Sequence, residues 1–385
     1  MRSTLPAAPS TALRLTPGER TQARRAYNVL YKFKGGSGDG ANPVAGFLNI
    51  KDTLYSTTSY GGGDDFGTAF AITTSGKETV LHSFFTKSRD GAMPEAGLVD
   101  VNGTLYGTTF WGGGNGCDIG CGTIYSISIT GSEKVLHRFA GGSDGSTPEA
   151  SLIDVKGTLY GTTQFGGANG QGTVFAITTS GAERVLYSFK GESGDGAQPV
   201  ASLINVKGTL YGATEYGGAN GIGSVFAITT SGKETVLYSF SGKPGDGANP
   251  VAGLTDVSGT LYGTTRSGGT SNNGTVFKIT TSGSKSLLYS FKGYPHDGAY
   301  PYAGLIDVNG TLYGTTDSGG PNNDDGTAFA ITTSGKETVL HSFGSSGDGA
   351  NPDASLLAVN GTLYGTTSGG GAGPLGNGTV FSLKP

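Results

Sequence analysis

The chain repeats one unit seven times, and this repeat restricts the fold more than any other feature of the sequence. The motif TLYGTT, or a close variant of it, recurs with its tyrosine at Tyr55, Tyr106, Tyr160, Tyr211, Tyr262, Tyr313 and Tyr364. The intervals between these tyrosines are 51 or 54 residues. Self-similarity at a fixed period of this length is typical of solenoids and propellers.

Each unit contains four short segments that are typical of β-strands. In the third unit they are ASLIDV (150–155), TLYGTT (158–163), GTVFAITT (172–179) and RVLYSF (184–189). These segments are rich in β-branched and aromatic residues, and the connections VKG and TSGAE are short enough for hairpins. Four-stranded antiparallel units repeated seven times indicate a β-propeller, whereas the coils of a parallel β-helix, the main alternative, are shorter. An Ala-Gly or Ala-Ser pair in every unit would occupy the crowded innermost strand.

The two ends of the chain predict how the ring closes. The segment 29–33 reads as an outer strand without a preceding blade, and 378–385 ends the chain on a third strand without a fourth. We therefore expect an all-β, seven-bladed β-propeller of four-stranded antiparallel blades, in which 29–33 completes the C-terminal blade. This arrangement removes the exposed sheet edges of an open array. The predicted domains are a disordered tail at 1–26 and a single propeller at 27–385, with blades near 44–84, 95–139, 149–189, 200–240, 251–291, 302–343 and 353–385 plus 29–33.

Composition and charge exclude several functional classes. Glycine accounts for 72 of 385 residues, but the periodic apolar strands argue against disorder in the repeats. The net charge is −4 and no basic stripe is present, so we do not expect a nucleic-acid partner. No apolar run is long enough to span a membrane, and residues 1–26 lack the apolar core of a secretion signal.

The repeat unit VLYSFxGxxGDGAxPxAxLIxVxGTLYGTTxxGGxxxxGTVFxIxxxG, which covers residues 27–385, resembles the Gloeo/Verruco (GloVer) tandem repeat. The resemblance implies a bacterial protein that is extracellular or attached to the cell surface. It implies no particular chemistry, because the molecular function of proteins with this repeat is essentially uncharacterised. The strand pattern is also similar, at the level of the fold alone, to Kelch and quinoprotein propellers.

The long loops are predicted to share one face of the ring, here called the long-loop face. They join each outer strand to the next blade and each second strand to the third, and binding residues usually lie on such loops. Each inter-blade loop carries an aspartate, and these residues either form an acidic ring for a cation or only stabilise turns; we favour turns. The seven are Asp39, Asp90, Asp144, Asp195, Asp246, Asp297 and Asp348.

The residues that vary between repeats are the better candidates for ligand binding, because a ligand without sevenfold symmetry must recognise differences between blades. The two positions after TLYGTT vary most, and the predicted ligand-binding residues there are Tyr60, Phe110, Trp111, Gln164, Phe165, Glu215, Tyr216, Arg266 and Asp317. A second variable set surrounds the loop prolines and comprises Met93, Glu95, Glu149, Gln198, Tyr300, Tyr302 and Asp353. Exposed aromatic rings beside polar groups suit sugars or a protein partner, although the same rings could pack on the loop glycines.

Three functions remain open from the sequence. The first is a non-catalytic, monomeric scaffold that binds a glycan or a protein. The second is an enzyme acting on polysaccharide, with two carboxylates converging at the centre from among Glu95, Glu149, Glu215 and Asp317. The third is a structural spacer.

Few residues have the spacing of a metal or cofactor site, and we expect no cofactor. Cys117 and Cys121 indicate a disulfide in an oxidising compartment rather than a metal site. His82, His137 and His341 replace the tyrosine of VLYSF, and His296 is the only loop histidine. The paired aspartates at 63–67 and 322–326 could bind Ca²⁺, but neither loop follows the EF-hand pattern.

Overall fold

The computed structural model describes residues 26–385 except 86–88, 115, 193, 345–346 and 372–375. The predicted disordered tail therefore lies outside the described residues, apart from Ala26. The described residues form seven four-stranded antiparallel sheets, as the repeat predicts. They contain no α-helix, only the 3-10 turn Gly142–Asp144, and so no helix that could cross a membrane.

Each blade runs from the centre of the ring to its edge through an inner, a second, a third and an outer strand. Blades 1 and 2 comprise Leu48–Ile50, Thr53–Thr58, Thr68–Thr73 and Glu78–Ser83, then Val99–Val101, Thr104–Thr109, Thr123–Ser128 and Glu133–Arg138. Blades 3 and 4 comprise Ile153–Val155, Thr158–Thr163, Thr173–Thr178 and Glu183–Ser188, then Ile204–Val206, Thr209–Thr214, Ser224–Thr229 and Glu234–Ser239. Blades 5 and 6 comprise Thr255–Val257, Thr260–Thr265, Thr275–Thr280 and Lys285–Ser290, then Ile306–Val308, Thr311–Thr316, Thr327–Thr332 and Glu337–Ser342. Blade 7 comprises Leu357–Val359, Thr362–Thr367, Thr379–Leu383 and Tyr27–Lys32.

The ring closes through the N-terminal strand, which confirms the prediction from the chain ends. Tyr27–Lys32 pairs antiparallel with Thr379–Leu383, with Tyr27 opposite Leu383 and Lys32 opposite Thr379. Blade 7 is therefore built from both ends of the described chain.

The core is divided into seven clusters, and each lies between two consecutive blades. One cluster joins Ile124 and Phe139 of blade 2 to Leu159 and Phe175 of blade 3. Another joins Tyr364 and Val380 of blade 7 to Leu54 and Phe70 of blade 1, so packing continues across the closure. Apolar residues on both faces of the strands therefore stabilise the ring by burying each blade against two neighbours.

One buried phenylalanine follows each outer strand and contacts the next blade. Phe189, for example, is fully buried, and its ring centroid lies 5.1 Å from that of Phe226 in an edge-to-face contact. The glycine of TLYGTT provides room for the ring on the third strand, because a Cβ on Gly161 would lie 2.6 Å from Phe175. The near-invariance of this glycine thus follows from packing.

The inner strands are shorter than the sequence suggests. Each has three residues and begins after the small-residue pair, as at Leu48–Ile50, which follows Ala45 and Gly46. The pairs precede the strands and line a central channel instead. A crowded axis leaves room there only for small side chains.

The two kinds of long loop pair with each other on one face. In blade 4, Gly196–Ala197 of the inter-blade loop pairs antiparallel with Tyr216–Gly217 of the loop after the second strand. Blades 1, 5, 6 and 7 contain the same ribbon, and blades 2 and 3 have a single bridge there. The variable positions are therefore held on a regular framework.

Candidate functional site

The repeated threonines organise the loops that carry the variable residues. The hydroxyl of Thr163, the last residue of TLYGTT, lies 2.8 Å from the hydroxyl of Thr173 on the third strand. It also donates to the carbonyl of Phe165, at 2.9 Å. The same bond to the residue two positions later occurs in all seven blades. The constant residues thus fix the backbone of the loop whose side chains differ.

The loop aspartates are bound within the protein. Asp39 is 6% exposed and accepts hydrogen bonds from the Tyr31 hydroxyl at 3.0 Å and from the backbone N–H groups of Lys34 and Gly40, both at 2.8 Å. In each of the seven loops the aspartate contacts the tyrosine or histidine of the preceding outer strand. The three histidines thus serve the same contact as tyrosine, and the carboxylates do not form an open acidic ring.

The residue before each loop proline joins three segments of chain. Gln198 has a left-handed backbone with φ of 54°; its N–H donates to the carbonyl of Gln171, and its own carbonyl accepts from Glu215. All seven blades repeat this conformation, but only Asn42, Asn249 and Asn351 have the side chain that best tolerates it. Their side-chain amides also donate to the preceding blade, as that of Asn249 does to the carbonyl of Glu215 at 3.2 Å. This position connects neighbouring blades at the long-loop face.

The residue after each loop proline lines the mouth of the central channel. The cavity has a volume of about 480 Å³, in the range of small-molecule binding sites. The side chains at this position are Val44, Glu95, Glu149, Val200, Val251, Tyr302 and Asp353. Below them lie the Ala-Gly and Ala-Ser pairs, so the chemistry of the cavity is concentrated at its mouth. Because these seven side chains differ, the mouth is asymmetric.

Two carboxylates, those of Glu95 and Glu149, line one side of the mouth, and that of Glu215 lies close enough to act on Glu149. Burial raises the pKa of Glu149 to about 8, and the negative charges of Glu95 and Glu215 contribute further. Burial alone raises the pKa of Glu95 to about 7. Glu215 is 8% exposed, and its Oε1 lies 3.2 Å from Nη1 of Arg266. The guanidinium of Arg266 in turn lies 5.7 Å from the ring centroid of Tyr302.

A second acidic pair forms another part of the mouth. Burial, and then the charge of Asp317, raises the pKa of Asp353 well above its usual range. The hydroxyl of Ser368 donates to Asp353 at 2.7 Å, and that of Ser318 donates to Asp317 at 2.6 Å. The amide of Asn351 also donates to Asp317, at 3.2 Å. One carboxyl of the pair can therefore hold a proton while hydrogen bonds orient its partner.

Aromatic side chains are exposed on the loops around the mouth. Tyr60, Phe165 and Tyr216 each expose about two fifths of their surface. Phe110 and Trp111 are half-buried and pack against each other, with ring centroids 5.1 Å apart. In blades 1 to 4 an aromatic residue follows TLYGTT within two positions. Exposed tyrosines also occur after blade 5, at Tyr294, Tyr300 and Tyr302. Exposed aromatic side chains therefore occur both in the blades with an aromatic residue after TLYGTT and outside them.

The predicted ligand-binding residues separate into groups. Asp317 lines the cavity, Glu215 and Arg266 form an ion pair, and Gln164 is half-buried on the loop. Four members of the second variable set, Glu95, Glu149, Tyr302 and Asp353, line the mouth directly. Their variation between repeats singles them out in the sequence, and the structure adds that the chain enters the centre of the ring at this position.

The remaining candidates have local structural contacts. Cys117 and Cys121 form a disulfide in the long loop of blade 2. In the two loops considered for Ca²⁺, Asp65 accepts from the N–H of Gly61 at 2.7 Å, and Asp324 from the N–H of Gly319 at 2.6 Å. One aspartate of each loop therefore already stabilises a turn.

The fold and the channel mouth define a closed tandem-repeat β-propeller with a polar, asymmetric central cavity. The chain belongs to the Gloeobacter/Verrucomicrobia repeat family, whose model matches residues 10–207, 115–324 and 282–385. No curated protein matches the chain.

Several solved structures share the fold at low sequence identity. A candidate 6-phosphogluconolactonase from Bacteroides uniformis is 13% identical, with a TM-score of 0.51 over 81% of this chain and 88% of that one. A similar protein from Bacteroides fragilis is 18% identical, with a TM-score of 0.50 over 87% and 98%. A puromycin-hydrolyzing peptidase from Mycobacterium tuberculosis is 10% identical, with a TM-score of 0.52 over 89% of this chain and 53% of that one. At these identities the likeness establishes the fold alone.

Proposed function

We propose that this protein is a non-catalytic binding module that holds a carbohydrate chain at the channel mouth of the long-loop face. The observation that carries the proposal is the position after the loop proline, which is valine in three blades and Glu95, Glu149, Tyr302 or Asp353 in the others. Polar side chains therefore converge on a cavity whose remaining lining consists mostly of small residues repeated in every blade.

The chemistry of the mouth suits a sugar. Carboxylates accept hydrogen bonds from hydroxyl groups, the guanidinium of Arg266 donates them, and aromatic rings stack on the apolar face of a pyranose. Tyr302 lines the cavity, and Tyr60, Phe165 and Tyr216 lie on the surrounding loops. A chain whose terminal sugar enters the cavity could contact these outer rings with its next residues.

The test exchanges residues between blades, so that each variant carries a residue that the fold already accepts at that position. Glu95→Val and Glu149→Val together copy Val200 and Val251, and Tyr216→Ser copies Ser267 and Ser318. On a glycan array, we expect wild type to bind a defined set of glycans, the double variant to lose them and Tyr216→Ser to bind them more weakly. Unchanged thermal unfolding would show that the variants are folded. An array on which wild type binds nothing, or on which the double variant binds like wild type, would contradict the proposal.

A second candidate, an enzyme that cleaves polysaccharide, is favoured by the Asp317–Asp353 pair. Burial raises the pKa of Asp353, and a protonated carboxyl beside a second carboxyl is an arrangement from which a general acid and a nucleophile or base are built. The solved structures of similar fold have different described activities and do not select one. The test uses a glycan that wild type binds on the array. Release of new reducing ends by wild type, but not by Asp353→Asn, would support catalysis. Glycan bound without cleavage would leave binding as the function.

An extracellular or surface location is part of the proposal. The Cys117–Cys121 disulfide supports it, because disulfides persist mainly in oxidising compartments. Fractionation of the source cells with an antibody to the chain would test it, and a signal confined to the cytosol would argue against it.

A further inference from the structure

Seven equivalent junctions join the outer edges of neighbouring blades. Each is formed by three side chains, and the types of these side chains differ from one junction to another. Each junction combines the tyrosine or histidine of one outer strand, the aspartate of the following loop and the residue that begins the outer strand of the next blade. In chain order they are Tyr31–Asp39–Glu78, His82–Asp90–Glu133, His137–Asp144–Glu183, Tyr187–Asp195–Glu234, Tyr238–Asp246–Lys285, Tyr289–Asp297–Glu337 and His341–Asp348–Tyr27.

Two junctions bring together one imidazole and two carboxylates. In His82–Asp90–Glu133 and in His137–Asp144–Glu183, one nitrogen or oxygen from each side chain lies within 4.8 Å of the others. Nε2 of His82 is 3.0 Å from Asp90, and Nε2 of His137 is 3.2 Å from Asp144. Imidazole and carboxylate are ligands that Zn²⁺ accepts, at about 2.0–2.2 Å each.

In both of these junctions the glutamate has an oxygen available to a cation. Oε1 of Glu133 and Oε1 of Glu183 are buried and have no hydrogen-bond partner within the described part of the chain. Ligand atoms of a tetrahedral zinc ion lie about 3.4 Å apart, so atoms 4.8 Å apart need to move by about 0.7 Å each. Rotation of a glutamate side chain can provide such a movement.

The junction between blades 4 and 5 independently shows that this position accepts positive charge. There Lys285 replaces the glutamate, and its Nζ lies 2.5 Å from Oδ1 of Asp246. The Lys285 side chain is only 5% exposed. A buried ammonium is costly unless it is paired, so the carboxylate of the junction stabilises a cation at this place in the fold.

We infer that the His82–Asp90–Glu133 and His137–Asp144–Glu183 junctions are two sites for a divalent transition metal of the zinc class. Each site supplies three protein ligands and leaves a fourth position for water, and each links an outer strand to the next blade. The tyrosine junctions do not form such a site, because a neutral phenol donates a proton rather than a ligand lone pair at neutral pH. The His341 junction lacks the glutamate and stacks Tyr27 on the imidazole at 3.7 Å.

The two sites differ in one charged neighbour. The positive charge of Arg138 acts on Glu133 in the first site, whereas the equivalent residue beside the second site is the uncharged Ser188. A cation near the ligands opposes binding of another cation. We therefore expect the His137 site to bind the metal more tightly than the His82 site.

The test is a Zn²⁺ titration of the full chain, stripped of metal beforehand, in competition with a chromophoric chelator at neutral pH. We expect two ions per chain for wild type, one for His82→Tyr, one for His137→Tyr and none for the double variant. Tyrosine occupies this position in four other blades, so these variants keep the aspartate contact. The control His341→Tyr should still bind two ions.

A variant designed to gain a third metal site makes the test more stringent. Tyr187→His creates a His–Asp–Glu set with Asp195 and Glu234, and we expect it to raise the stoichiometry to three. Tyr238→His is its matched control, because Lys285 occupies the glutamate position there, and it should leave the stoichiometry at two. Absence of binding by wild type, or two ions retained by the His82→Tyr/His137→Tyr variant, would overturn the inference.

Discussion

The substitution Asp39→Asn tests whether the repeated loop aspartates are structural. The carboxylate receives backbone N–H groups on both oxygens, from Lys34 on Oδ2 and from Gly40 on Oδ1. An asparagine amide has a single acceptor oxygen, so in either orientation its NH₂ group meets one of these two N–H donors. The variant therefore loses one charge-assisted hydrogen bond and leaves one backbone N–H, buried at Gly40 or part-buried at Lys34, unpaired.

The expected cost follows from those two changes. A hydrogen bond to a charged group contributes about 1.5–3 kcal/mol, and an unsatisfied buried donor costs about 1–3 kcal/mol. We expect Asp39→Asn to lower the free energy of unfolding by about 3–5 kcal/mol. The control Tyr31→Phe keeps the carboxylate and removes the hydroxyl, which contacts Asp39 and also interacts with Glu78, and it should cost about 1–2 kcal/mol.

The assay is urea unfolding followed by circular dichroism for wild type and both variants. If the seven aspartates formed an open acidic ring for a cation, Asp39→Asn would relieve repulsion and would be neutral or stabilising without metal. A loss of less than about 1 kcal/mol would therefore refute the structural interpretation.

Three other predictions follow from the geometry of the ring. Gln198→Asn should stabilise the protein by about 0.5–1 kcal/mol, measured by thermal unfolding, because asparagine tolerates the left-handed backbone better than glutamine; a lower unfolding temperature would contradict this. Asn28→Cys with Ser382→Cys, which face each other across the closure, should form a disulfide and stabilise the folded chain by up to about 5 kcal/mol, and free thiols under oxidising conditions would contradict the closure. The pKa of Glu149 is raised to about 8 by burial, so its contribution to stability is present below the unfolded pKa and is lost as pH rises through about 8. Glu149→Gln should accordingly reduce the fall in stability between about pH 5 and pH 8, by up to about 1.4 kcal/mol per pH unit, in urea unfolding at several pH values; an identical pH dependence would contradict it.

The sequence predicts the architecture well because every blade has the same pattern of strands, hairpins and core residues. The recurrence of Tyr55 and its equivalents marks the period, and the unpaired segment at 29–33 predicts the closure that Tyr27–Lys32 makes. The strand pattern of one unit is weak evidence alone. Its recurrence at the same positions of seven units makes the prediction strong, because the same hairpins and core contacts are repeated in each unit.

The candidate site was only partly predictable, because side-chain direction depends on how the loops enter the ring. The residues after TLYGTT vary most conspicuously, yet Tyr60 and Tyr216 lie on the surrounding loops rather than in the cavity. The position of Glu149 at the mouth depends on the left-handed residue and the proline before it, which direct the chain towards the axis. The junctions are harder still to recognise, because His82 and Glu133 come from different blades.

The most direct test of the account is a structure of the protein with a glycan selected on the array. The account assigns the scaffold to the repeated residues and recognition to the residues that differ at the channel mouth. It predicts a sugar within hydrogen-bonding distance of Glu149, Glu95 or Asp353, with a ring stacked on Tyr302 or on one of the loop aromatics. A sugar bound on the tight-hairpin face, or held only by residues that all seven blades share, would contradict it.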